Sequence, residues 1–152
     1  MPAEDRLREL GIVLPEPPAP VAAYVPVVQT GNLVFVSGQG PMREGKSIFE
    51  GRLGAELSLE QGQEAARQCV LNCLAQLKGH LGSLNRVRRI VKVLGFVAGT
   101  DQFDQQPYVI NGGSELLEQV FGEAGRHARS AIGTNRLPFG IPVEIELIAE
   151  VG

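Results

Sequence analysis

The chain has 152 residues and a formal net charge of −3, with 43% hydrophobic, 20% charged and 5% aromatic residues and no Trp. That length suits one domain able to bury most of its apolar surface without disulfides or metal. The acidic balance and the scarcity of aromatic stacking surfaces speak against nucleic acid as the main partner, and the charge equally disfavours anionic membranes.

The first residues form a charged segment without the apolar run of a leader, and no stretch approaches the length of a membrane span, so the chain reads as a soluble, cytoplasmic protein. Residues 3–10 suit a short helix stopped by Gly11. The proline-rich run of residues 15–20 is a stiff connector, so residues 1–20 read as an N-terminal arm on a domain of residues 21–152. Residues 24–29 and 33–37 are β-like, with Thr30-Gly31-Asn32 as a hairpin turn between them. The polar, Gly-rich stretch 43–57 reads as a loop.

Ser58 and Gln61 make a capping-box pattern, after which Ala66, Cys69, Val70, Cys73, Leu74, Leu77 and Leu81 recur at helical spacing up to Gly82. Cys69 and Cys73 fall on one face of this helix, and a lone pair without further ligands reads as buried free thiols. Residues 87–97 are a buried strand, residues 107–121 a second helix, residues 127–133 a strand. Residues 143–151 are a last strand in which Val143, Ile145 and Leu147 alternate with Glu144 and Glu146. The order β-β-α-β-α-β-β predicts an α+β sandwich with both helices on one sheet face. The uncovered face, carrying Glu144 and Glu146, calls for packing against further subunits, so a homo-oligomer is expected.

The chemistry concentrates in the last third. Arg129, inside an apolar-leaning strand, has the planar five-donor group suited to gripping a carboxylate, or alternatively pairs with Glu144 or Glu146. One of those glutamates could serve as a general base that orients a water, or both could line a solvated face. His127, two residues from Arg129 and on the same strand face, could donate to a substrate anion or carry a proton. The cluster Arg86, Arg88, Arg89 and Lys92 lacks interleaved aromatics and reads as a solvated face. No phosphate loop, dinucleotide fingerprint, nucleophile elbow or metal motif is present.

Several segments together resemble the RidA/YjgF family of reactive-intermediate deaminases. They are Tyr24-Val-Pro, Gly31-Asn-Leu-Val-Phe-Val-Ser-Gly-Gln39, the 91–96 strand, Asn111, Ala128-Arg-Ser-Ala131, Arg136-Leu-Pro and Val143-Glu-Ile-Glu146. The resemblance implies a chorismate-mutase-like fold, a six-stranded, mostly antiparallel sheet backed by two helices. It implies a homotrimer whose sheets form a central barrel with clefts between subunits. The implied activity is hydrolysis of 2-imino acids and their enamine tautomers to 2-oxo acids and ammonia, without a cofactor. Family members have also been described as ribonucleases and translation inhibitors, and the same cleft could bind a 2-oxo acid without turnover. By resemblance Arg129 binds the substrate carboxylate, Glu144 holds the attacking water, and Tyr24 comes from the neighbouring subunit. Ser37 and Asn111 also match binding positions. Ala131 stands where many family deaminases have Cys, a position whose substrate contact the backbone can make.

Overall fold

The computed structural model describes all 152 residues. Helix α1 (Ala3–Leu10) buries Ala3 and Leu7 and ends at Gly11, whose left-handed φ of 72° lets its N–H return to the last turn. Glu4 ties this helix down: its carboxylate accepts from Lys78 Nζ and from the Leu84 amide, both at 2.8 Å. Strands β1 (Val27–Thr30) and β2 (Leu33–Gln39) form the expected hairpin. β1 begins later than the sequence suggests because Pro26 has no amide to give to a ladder.

The stretch read as a loop contains a small ribbon, β3 (Met42–Arg43) with β4 (Lys46–Ser47). It turns at Glu44 and Gly45, both with positive φ, as a tight two-residue hairpin needs. Helix α2 (Leu59–Leu81) starts on the full capping box: Gln61 N donates to Ser58 Oγ at 3.2 Å, and Ser58 N to Gln61 Oε1 at 2.9 Å. Strand β5 (Val87–Ala98), helix α3 (Gln106–Phe121), strand β6 (Ala128–Thr134) and strand β7 (Val143–Val151) follow.

The main sheet has the order β1-β2-β7-β5-β6. All its pairings are antiparallel except β5 with β6, which α3 connects as a crossover. The sheet is therefore five-stranded rather than six-stranded. The extra pairing lies apart in the β3–β4 ribbon, whose two-residue strands are too short to show a period.

Both long helices cover one face. Val143, Ile145, Leu147, Ala149 and Val151 of β7 point under them, as do Val34 and Val36 of β2 and Ile90, Val93 and Val97 of β5. Cys69 and Cys73 are buried free thiols, with each Sγ directed at a β7 carbonyl, Val143 at 3.4 Å and Ile145 at 3.5 Å. Burial pushes both thiols well above the ordinary range. Helices α2 and α3 approach so closely that a Cβ on Gly112 would stand 2.1 Å from the Gln63 carbonyl oxygen. No helix is long and apolar enough to cross a membrane.

The opposite face has no helix. Across it run the rows Val28–Phe35–Ile148–Lys92–Ala128, Glu146–Leu94–Ser130 and Glu144–Phe96–Ile132. Val28, Phe35 and Ile132 are exposed there.

Candidate functional site

The residues singled out in the sequence fall into two groups on opposite faces of the sheet. The first lies at the β6 edge, on the helix side. Arg129 pairs in register with Val93, whose side chain is buried under the helices, and its guanidinium reaches α3. Nη1 donates to Asn111 Oδ1 at 2.8 Å and to Ser114 Oγ at 3.2 Å. These two bonds use both Nη1 hydrogens. The other edge of the fork, Nε and Nη2, has no hydrogen-bond partner, and no carboxylate lies within ion-pair range of Arg129. The alternative of a salt bridge to Glu144 or Glu146 is thereby excluded within the chain. A free side-on edge with two parallel N–H groups is the geometry that binds a carboxylate bidentately.

His127 joins the same group. Its Nδ1 lies 2.6 Å from the Gly125 carbonyl and its Nε2 2.9 Å from Ser114 Oγ. Burial is the main cause that lowers its pKa, and the neighbouring Arg129 charge adds to this, against the bond to Gly125. Ala131, two residues along β6, shares the Arg129 face and packs on the core. Its register partner Gly95 leaves room for Ile110, since a Cβ there would lie 2.5 Å from Ile110 Cδ1.

The second group lines a cleft of about 1020 Å³ on the helix-free side, bounded by Tyr24, Ser37, Gly38, Phe139, Glu144 and Glu146 among others. Glu144 pairs with Phe96, which in turn pairs with Ile132, so its side chain points away from the face that Arg129 uses. The Glu144 carboxylate forms no ion pair and no side-chain hydrogen bond. Burial, helped by the charge of Glu146, holds its carboxyl above the usual carboxylate range. Ser37 Oγ donates to the Val25 carbonyl at 2.8 Å and so fixes the arm that carries Tyr24. Phe139, at the rim, is 81% exposed in the left-handed region (φ 61°).

The chain thus brings Arg129, Asn111, His127 and Ala131 together, and separately brings Glu144, Ser37 and Tyr24 together. It does not join the two groups. Helix α3 supplies partners for Arg129 and His127, so this set lies on the helix side of the sheet, opposite Glu144.

Sequence reasoning overlooked two sets of residues. Ser114 is a single hydroxyl in mid-helix, with no local signal. Gln68, Asn72 and Gln76 stand at steps of four along α2, a buried polar stripe that positions the cleft walls. Asn72 Nδ2 donates to the Gly40 and Met42 carbonyls, both at 2.9 Å, and Gln76 Nε2 donates to the Pro18 carbonyl at 2.7 Å. Gln68 Oε1 accepts from Arg43 Nε and Nη2 at 3.2 and 3.0 Å. Their i, i+4 spacing beside the apolar stripe was the available clue.

Residues 4–151 match the family model described as "YjgF/chorismate_mutase-like, putative endoribonuclease". Over 146 residues the chain is 45% identical to protein TCP17 of Trypanosoma cruzi, covering 95% of this chain and 91% of that protein. Its structure resembles that of Atu1372 from Agrobacterium tumefaciens, a protein of unknown function. The TM-score is 0.89 at 46% identity, with 98% of this chain and 91% of that one covered. It also resembles TdcF of E. coli with bound serine, with a TM-score of 0.66 at 25% identity and 89% and 93% of the two chains covered. The α+β fold, with both long helices on one face of its sheet, and the matched sequence over almost all its length place the chain in the YjgF/RidA/RutC family.

Proposed function

We propose that the protein hydrolyses reactive 2-imino acids to 2-oxo acids and ammonia, at sites where the Arg129 edge of one subunit meets the Glu144 cleft of another. The observation that carries this is the unpartnered Nε/Nη2 edge of Arg129, held in place by Asn111 and Ser114. A fixed guanidinium with its fork open has the donors a carboxylate ligand needs. That TdcF holds serine, a small amino acid, supports the same ligand class here.

The reaction follows from these parts. Arg129 grips the carboxylate and fixes the orientation of the C=N carbon. Glu144, free of partners, accepts a proton from water as its oxygen bonds to that carbon. The imine nitrogen takes up a proton, the tetrahedral carbinolamine expels ammonia, and the C=O of the 2-oxo acid forms. Ala131 leaves the contact to the substrate nitrogen to the β6 backbone, and Tyr24 and Ser37 close the cleft around the remainder.

The arrangement of subunits is part of the proposal. Within one chain the two half-sites face away from each other, and a closed trimer packed through the helix-free sheet faces brings one of each into every interface. The test is loss of 2-iminobutyrate generated in situ by an amino-acid oxidase, with subtraction of the uncatalysed rate. Arg129→Ala and Glu144→Gln variants are each expected to lose activity. Refolded together in equal amounts they are expected to recover about a quarter of the intact sites, because a closed ring pairs the sound half of one chain with the sound half of the next. Recovery of nothing would reject shared sites. Full activity in Arg129→Ala would reject the mechanism.

A protein that binds the 2-oxo acid without turnover is the second reading, favoured by Ala131, whose methyl group adds no chemistry at that position. Oxo-acid binding without acceleration of imine loss would establish it.

A further inference from the structure

With a neutral ring, the hydrogen bonds around His127 admit one arrangement of protons. The Gly125 carbonyl only accepts, so the 2.6 Å contact places a hydrogen on His127 Nδ1. A neutral ring then has only a lone pair at Nε2, so Ser114 must donate its hydroxyl hydrogen across the 2.9 Å contact. Arg129 can only donate, so a lone pair of Ser114 Oγ receives Nη1 at 3.2 Å. Each direction follows from the one before it, and the series begins at a rigid point. A Cβ on Gly125 would lie 2.1 Å from the Leu117 carbonyl oxygen, so this turn is packed directly on the α3 backbone.

From this geometry we propose that Ser114 and His127 are positioning residues that set the direction of the Arg129 fork, and that His127 acts only in its neutral form. The proposal rests on the reading of Arg129 as the carboxylate anchor. Both His127 ring nitrogens are engaged within the chain, which leaves neither free to touch a substrate. Its role is therefore transmitted through Ser114. With a second hydrogen on the ring, Nε2 and Nη1 would both present N–H groups to Ser114 Oγ, and the hydroxyl hydrogen would lose its acceptor. A second cation would also stand beside Arg129. The charged groups facing His127 are Arg129 on β6 and Glu118 on α3, and Glu118 also lies 3.8 Å from Arg126. Burial and the Arg129 charge favour the neutral ring at neutral pH.

The test is calorimetric binding of 2-oxobutyrate from pH 5 to pH 8, with a thermal melt of each variant as a control for folding. Wild type is expected to bind with constant affinity at the upper end and to weaken as the pH falls through the range in which His127 gains its proton. Ser114→Ala is expected to bind about tenfold more weakly at neutral pH, the loss of one charge-assisted hydrogen bond. Ser114→Thr, which keeps the hydroxyl, is expected to restore affinity. His127→Phe is expected to lose the acid weakening. A merely structural role would lower melting temperatures without altering the pH profile. If Arg129→Ala abolishes binding while Ser114→Ala and His127→Phe keep wild-type affinity and profile, this proposal fails and the anchor stands. If Arg129→Ala binds as wild type, or wild type does not bind, the anchor and this proposal fall together.

Discussion

Gly38 and Glu144 share one small volume: a Cβ built on Gly38 would lie 2.6 Å from Glu144 Oε2 and 2.9 Å from Cδ. The carboxylate rests against bare backbone, in space that only glycine leaves open. The atoms it would meet are the far end of a flexible side chain, so Gly38→Ala is expected to fold normally and to push the carboxylate aside. The expected outcome is a change in stability of under about 1 kcal/mol and a fall in kcat/KM of about ten- to a hundredfold. Denaturant melts and the imine-loss assay read the two effects separately. A large loss of stability with unaltered kcat/KM would contradict this account.

Glu144 should impose the acid limit on turnover. As a base it works only when ionised, and burial followed by the Glu146 charge raises its carboxyl above the usual range. Activity should therefore begin to fall at a higher pH than an exposed glutamate would give. Glu146→Gln removes the neighbouring charge and should move that limb toward lower pH. A pH–rate profile of the two proteins, each corrected for uncatalysed hydrolysis, checks the direction of the shift.

Asn72 holds two carbonyls with one amide nitrogen, and its residue is fully buried. Asn72→Ala strands both acceptors at the base of the cleft. A cost of about 2 kcal/mol is expected, with a fall in melting temperature of roughly 4 °C or more. Calorimetry measures it directly. Asn72→Asp, which has no N–H to donate, should be at least as damaging at neutral pH.

The anchor of α1 should weaken in acid. Burial alone would raise the Glu4 carboxyl, but the bonds from Lys78 and Leu84, with the charges of Lys78 and Arg8, outweigh it and hold it below the ordinary value of 4.5. A lowered folded value means that this stabilisation is present above the unfolded value and is lost as the pH falls through the folded one. Glu4→Gln should cost at most about 1 kcal/mol at neutral pH, because the group is partly solvated. The difference from wild type should close at acid pH. Limited proteolysis near residue 12 should be faster in the variant at neutral pH and equal in both proteins in acid.

Much of this was written in the sequence, and the parts that were not have physical reasons. Ser58 with Gln61, Gly11 and Gly82, and the strict alternation of β7 are local signals, and each element formed at the place they mark. The β3–β4 ribbon left no trace, because two residues cannot express a period and Glu44 is an unusual residue for a positive φ. The face used by Arg129 was also hidden. Alternation groups Arg129 with Ala131 but does not say which side of an edge strand the helices cover. That depended on α3, which presents Asn111 and Ser114 to one side of β6. His127 was read as a substrate contact because its spacing from Arg129 is visible, whereas the Gly125 carbonyl and the Ser114 hydroxyl that occupy its nitrogens are set by the turn between α3 and β6.

The bare sheet face has a thermodynamic consequence. Val28, Phe35 and Ile132 remain hydrated in a lone chain, and removing that water requires another molecule to arrive. In the proposed oligomer, dilution should then lower the midpoint of thermal unfolding, since mass action would couple the folding of each chain to how many of its kind are present.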